Sequence, residues 1–338
     1  MKKRFGIGFW FRLAITLAAI IYLSLQIDLG DVLQAAGRLS IGYLLLAFVN
    51  NLFGRYMMAC QMAYAMRMHG ARYGTWRMFS ITLRTLFYGF FLPGELTSAG
   101  IKWYLISRID GLRAQTFASM TYVRLTQVIL LFGMGLAAVM IEWPFESRAL
   151  LPLAWALLAG MTVATGMLHS KYFRAILSWV EGNPLYQRLP QSVTRRLGSL
   201  FNAFGTLSGL TFKEASVIWL TSLAFKLIVT VSFWFISRSL GTEIGFLTLI
   251  WLNSVVELVQ LLPISLAGLG PREASMVYML RYYGIADSVS LTFSLIIFAL
   301  RILTSLLGGL LVLQEALTRG PGKTPPPGGD LTNCQRGV

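Results

Sequence analysis

The chain has 338 residues, of which 56% are hydrophobic and only 13% charged, with a mean hydropathy of +0.64. That balance excludes an ordinary soluble globular domain and defines an integral membrane protein. A formal charge of +15 would suggest nucleic acid in a soluble chain, but here the lysines and arginines fall mainly between apolar runs, so they read as loops facing an anionic leaflet and no nucleic-acid partner is expected.

In chain order, the first apolar run spans residues 10–27 and is read as a retained span, because it lacks a small-residue cleavage pattern and further spans follow. A second span is predicted over 41–66. The loop between them, "DLGDVLQAAGRLS", carries two aspartates against one arginine and belongs outside. Lys2, Lys3, Arg4 and Arg12 before it, and Arg67, Arg72 and Arg77 after the second span, belong inside.

Four more spans are predicted near 116–141, 149–168, 215–237 and 289–314. Residues 171–210 carry the 3, 4, 7 apolar spacing of amphipathic helices lying along the cytoplasmic interface. Residues 1–315 form one polytopic domain, with half-repeats of about 1–168 and 169–315. Residues 316–338, rich in proline and glycine, read as a disordered cytoplasmic tail. Both termini are then cytoplasmic.

Two apolar runs are interrupted. "LPGELTSAGIK" from Leu92 is matched in one register by "LPISLAGLGPR" from Leu262, pairing Pro93 with Pro263, Gly100 with Gly270 and Lys102 with Arg272. Proline removes a backbone donor and glycine permits turns closed to other residues, so each segment is expected to break as a re-entrant hairpin. The loop charges send the first in from the cytoplasm and the second from outside, which gives the halves opposite orientation. The expected fold is all-α, with about six full transmembrane helices and two broken hairpins in an inverted repeat, the sequence pointer to a substrate site near the midplane.

Broken helices leave backbone groups that only protein or a water-filled cavity can satisfy at membrane depth. A returning half-helix aims free N–H groups into that cavity, and a nearby cation adds full charge, which suits an anion such as phosphate. The expected site therefore comprises Lys102, Arg272, Arg124 and Arg301, with Glu95 and Glu273 and the breakers Pro93, Gly94, Gly100, Pro263, Gly268 and Gly270. Arg55, Arg84, Lys226 and Glu257 also lie within spans, and for Glu95, Glu257 and Glu273 an internal ion pair competes with a role in proton coupling. Cys60 and Cys334 suggest no disulfide, and His69 and His169 lack ligand spacing, so no metal or other cofactor is expected.

"LLPISLAGLGPREA" and "FFLPGELTSAGIKWYLISR", with Arg124 and Arg301 after them, make the sequence similar to the lysyl-phosphatidylglycerol synthase transmembrane (flippase-like) family over most of residues 10–314. The resemblance implies a bacterial cytoplasmic membrane protein that translocates an anionic phospholipid or a polyprenyl-phosphate-linked lipid between leaflets, without the family's synthase domain. A membrane enzyme acting on such a lipid, or an accessory subunit of a lipid or glycan biosynthetic enzyme, is the alternative. A homo-oligomer or a complex with such an enzyme is compatible with either.

Overall fold

The computed structural model describes residues 29–71, 73–91, 95–142, 151–168, 210–261 and 270–319, with 179, 194, 198, 201–203 and 205. All regular structure among them is helical. The helices are α1 (Leu29–Gly37), α2 (Ile41–Arg67), α3 (Thr75–Phe91), α4 (Glu95–Asp110), α5 (Arg113–Glu142), α6 (Leu151–Leu168), α7 (Phe212–Ser239), α8 (Phe246–Leu261), α9 (Pro271–Arg281) and α10 (Asp287–Arg319).

Three of these, α5, α7 and α10, are long and apolar enough to cross a membrane, and a fourth span results if α1 and α2, bent by 87° at their junction, count as one. The span expected over 10–27 lies outside the described residues. The segment expected as a plain outer loop instead contains α1. Its "VLQAA" core is made of tolerable to strong helix formers, and Val32 is buried with Val277 against Leu291. At the other end, α10 continues to Arg319, past the expected start of the tail.

The centre of the bundle is the pairing of α2 with α7. They run antiparallel: the Ser40 amide donates to the Ser239 carbonyl at 3.0 Å, Asn50 bonds the Ile228 carbonyl, and Gln61 bonds the Ile218 carbonyl. The buried side of α2 is built from small residues, including Ala47, Gly54, Ala59, Ala63 and Ala65, which lets the two backbones approach. α7 starts at Thr211 through a capping box, in which the Thr211 hydroxyl accepts from the Glu214 amide and the Glu214 carboxylate accepts from the Thr211 amide.

Around this pair, α3 packs on α10 and α8 packs on α5. A side chain at Gly308 would strike the backbone of Leu83, and one at Gly135 would meet Ser254 at 2.6 Å, so glycine is what allows both approaches. Each broken segment is a hairpin. In the first, Tyr73 reaches the Ile106 carbonyl at 3.5 Å while Gly89 lies against Ser98, so α3 and α4 are antiparallel. In the second, Trp251 on α8 donates to the Tyr283 hydroxyl at 2.8 Å beyond α9, so that segment also turns back. The tips, 92–94 and 262–269, lie outside the described residues.

The helix directions place Arg67, Arg77, Arg108, Arg113 and Lys213 at one end of the bundle. Asp31, Glu142, Glu243 and Asp287 lie at the other, where Arg38 also stands and where Arg238 pairs with Glu243 and Arg281 with Asp287. The first hairpin opens toward the basic end and the second toward the acidic end.

Candidate functional site: buried cations at two hairpins

A cation at membrane depth costs a few kcal/mol or more, so the partner of each one tells what it does. Several of the cations are neutralised by this chain. Arg84 on α3 pairs with Glu315 on α10, and Lys226 on α7, 3% exposed, pairs with Glu257 on α8. Lys226 also lies 5.8 Å from the Phe225 ring centroid. These pairs tie neighbouring helices together, and the ion-pair reading of Glu257 is the one observed.

At the second hairpin, Arg272 is 2% exposed and forms an ion pair with Glu273. The Arg272 Nε donates to Glu273 Oε1 and to Ser294 Oγ, both at 3.1 Å, and its guanidinium lies 5.4 Å from the Phe298 ring. The other carboxylate oxygen, Glu273 Oε2, accepts from the Gly270 amide at 2.7 Å. Gly270 has φ of +91°, a conformation that favours glycine, and Pro271 follows at the first helical position, where its missing N–H costs nothing. Gly270, Arg272 and Glu273 are thus brought together as one unit. Arg301 follows Ser294 and Phe298 at the i, i+4, i+7 spacing of one helix face, so it stands one to two turns along α10 on the stripe that meets Arg272. It is half-buried there.

The first hairpin is different. Lys102 on α4 is 9% exposed, and no acidic side chain among the described residues pairs with it. Its electrostatic neighbour is another cation, Arg55 on α2. At about 1.5 Å per residue, Lys102 lies about 12 Å along α4 from its Asp110 end, while Arg272 lies about 14 Å along α9 from its Arg281 end. Arg124 is exposed on the flank of α5. No hydrogen bond or ion pair among the described residues links Lys102 to Arg272.

Gly100 does not behave as a breaker. It sits inside α4, and a Cβ there would meet nothing within 4 Å. The helix tolerates it because one glycine costs only about 1 kcal/mol relative to alanine. Pro93, Gly94, Pro263 and Gly268 lie outside the described residues, as does the Glu95 side chain at the start of α4.

Two open depressions lie at the ends of the bundle. One, of about 610 Å³, is formed by the turn between α2 and α3 at the basic end and is lined by Arg67 and Tyr73. The other, of about 380 Å³, lies between the α7–α8 and α9–α10 turns at the acidic end, lined by Glu243 and Tyr283. His69, in the first of these turns, has its Nε2 buried without a partner, and burial holds its imidazole below the ordinary value. At neutral pH it therefore adds no charge beside Arg67, which lines that depression. Burial raises the Tyr283 phenol at the second depression, an effect opposed by its hydrogen bond to Trp251.

Gln127 belongs to a buried polar cluster that the sequence does not reveal. Gln127 Nε2 donates to Gln61 Oε1 at 3.0 Å, and Gln61 Nε2 donates in turn to the Ile218 carbonyl and to Ser222 Oγ. All three side chains are essentially inaccessible, so this chain of amides clamps α5 and α7 to α2. Glu315, Ser294 and Phe298 also went unnamed, although the last two share a helical stripe with Arg301.

Fold and site together define an all-helical integral membrane protein with charged side chains buried around paired helical hairpins. The chain belongs to the lysylphosphatidylglycerol synthase TM region family, whose model matches residues 9–309. That membership links it to lipid metabolism. No curated protein and no solved structure matches it.

Proposed function

We propose that this protein is a lipid translocator, carrying a phospholipid with an anionic head group or a polyprenyl-phosphate-linked lipid between the leaflets of a bacterial cytoplasmic membrane. The observation that carries the reading is Lys102: a buried ammonium beside a second cation, with no acidic partner among the described residues. A lipid phosphate is the counter-charge that a membrane offers at such a site. The basic end of the bundle faces the cytoplasm.

An inverted repeat of six spans and two hairpins supplies the alternating geometry that such transport requires. Its support is the register that carries Leu92 onto Leu262. That register carries α2 onto residues 211–237, where α7 runs Phe212–Ser239, and α3 onto 245–261, where α8 runs Phe246–Leu261. It carries α5 onto 283–312, within the reach of α10. Packing follows the same exchange: α3 on α10 becomes α8 on α5, and α2 on α7 maps onto itself. Lys102 and Arg272 are then equivalent positions on opposite sides of the midplane.

The test is leaflet exchange of labelled anionic phospholipids and polyprenyl phosphates in proteoliposomes, with mass spectrometry of the recovered lipid. Exchange at wild-type level in both Lys102→Met and Arg272→Met would overturn the anion path. Chemical conversion of the lipid would replace translocator with enzyme.

A further inference from the structure

The second hairpin contains an anion site that is already filled. Its donors are a guanidinium 2% exposed, a hydroxyl, Ser294 Oγ, and the Gly270 amide at the start of α9. What they hold is the carboxylate of Glu273, the next residue in the chain, which reaches back with one oxygen toward Arg272 and the other to Gly270 at 2.7 Å. Ser294 Oγ also points at this carboxylate, 3.3 Å from Oε1. A carboxylate and a phosphate present the same chemistry to these donors, namely paired anionic oxygens.

The equivalent cation of the first hairpin, Lys102, is as deeply placed and lacks an acidic partner among the described residues. Two positions matched in the repeat register therefore differ in one respect that bears directly on ligand binding. One cation is closed by the chain's own carboxylate, and the other meets no carboxylate among the described residues.

We infer that Glu273 is an internal stand-in for the substrate's anion, a latch that seals the Arg272 site until a lipid phosphate displaces it. The inference rests on the translocator reading and adds an order to it: an anion entering from the basic end meets no competing carboxylate among the described residues at Lys102, whereas at Arg272 it must exchange with Glu273. The exchange keeps an anion at the buried guanidinium, so Arg272 is never left bare at membrane depth, while the displaced Glu273 carboxylate, still tethered to α9, turns toward water. A hairpin sealed in this way stays shut on the acidic side when no lipid is present, which prevents leak. The specificity follows as well. Only a ligand with an anionic oxygen pair can replace the carboxylate, so a purely zwitterionic choline head group, whose phosphate is already paired with its own ammonium, competes poorly.

The experiment is binding of dihexanoyl phosphatidic acid, a soluble short-chain lipid, to the full-length chain in phosphatidylcholine nanodiscs, followed by calorimetry, with inorganic phosphate as a second probe. Wild type is expected to show one class of site, lost in Lys102→Met. Glu273→Gln is expected to add a second class, or to tighten binding at least tenfold, and Arg272→Met in that background should abolish the gain. Response to both probes assigns recognition to the phosphate alone, and response only to the lipid assigns it to the head group with its chains. Equal stoichiometry and affinity in wild type and Glu273→Gln would overturn the latch. Where Glu273→Gln does not fold, Glu273→Asp decides: its shorter arm cannot span Gly270 and Arg272 together, so binding should tighten, and unchanged binding overturns the proposal. Absence of lipid exchange by wild type, with the Glu273→Gln gain intact, would remove the translocator reading and leave the sealed site standing.

Discussion

The two hairpins share a backbone plan and differ in how their charge is balanced. In the second, Arg272 is paired with Glu273, and the adjoining Lys226 with Glu257. In the first, Lys102 faces Arg55 with no acid beside it among the described residues. Two ion pairs neutralise cations at the second hairpin, whereas no acidic side chain among the described residues pairs with Lys102 of the first.

The largest effect expected from breaking this contrast is functional. Lys102→Met should lower lipid exchange by at least tenfold while raising thermal stability, since it removes a buried charge without stranding a partner. A fall in stability together with retained exchange would show that Lys102 is a structural residue. The next effect is energetic and belongs to the other half. Glu257→Gln leaves Lys226 buried with no carboxylate, and breaking a buried pair costs about 3–5 kcal/mol. Restoring neutrality with Lys226→Met in the Glu257→Gln background should recover most of that loss in a melting measurement. Failure to recover would mean that packing, not charge, dominates the α7–α8 contact.

A smaller change would make the first hairpin resemble the second. Ala99 is exposed on α4, one turn before Lys102, and Ala99→Glu places a carboxylate at the i, i+3 spacing that lets side chains meet. If the new pair is worth about 1.4 kcal/mol, affinity for dihexanoyl phosphatidic acid falls about tenfold, and Ala99→Gln should leave it unchanged. Equal loss in both variants would point to bulk at the mouth of the site and not to charge.

Much of this arrangement was legible in the chain. The apolar runs gave the long helices, because membrane thickness dictates their length. The matched "LPG" and "LPI" interruptions marked both hairpins, because proline and glycine act locally on the backbone. Gly270 was legible for the same reason. The partners were not. Arg84 and Glu315 are 231 residues apart, and nothing near either one announces the other. Glu273 was legible as a charge at depth, but whether it faces a substrate or its own neighbour depends on a φ of +91° at Gly270, which turns the amide toward it. The α1 helix is hard to see in the sequence because its aspartates mark a loop, while the Val277 and Leu291 side chains that bury Val32 are distant in the chain.

Gly100 shows how a local rule can fail, and it gives the smallest expected effect. Paired by register with Gly270, it was expected to serve as a second breaker, yet the two positions have different backbones. Gly270 carries a positive φ and lies outside helical geometry, whereas Gly100 lies within α4 with open space where a Cβ would project. Alanine at 270 would be strained, and alanine at 100 replaces a weak helix former with the best one. Gly100→Ala is therefore expected to be neutral or to stabilise by up to about 1 kcal/mol, with lipid exchange unchanged, while Gly270→Ala lowers both stability and exchange. Loss of exchange in Gly100→Ala with stability intact would mean that the open face beside this glycine is occupied during transport, and would move the substrate path onto the outer side of α4, next to the exposed Ala99.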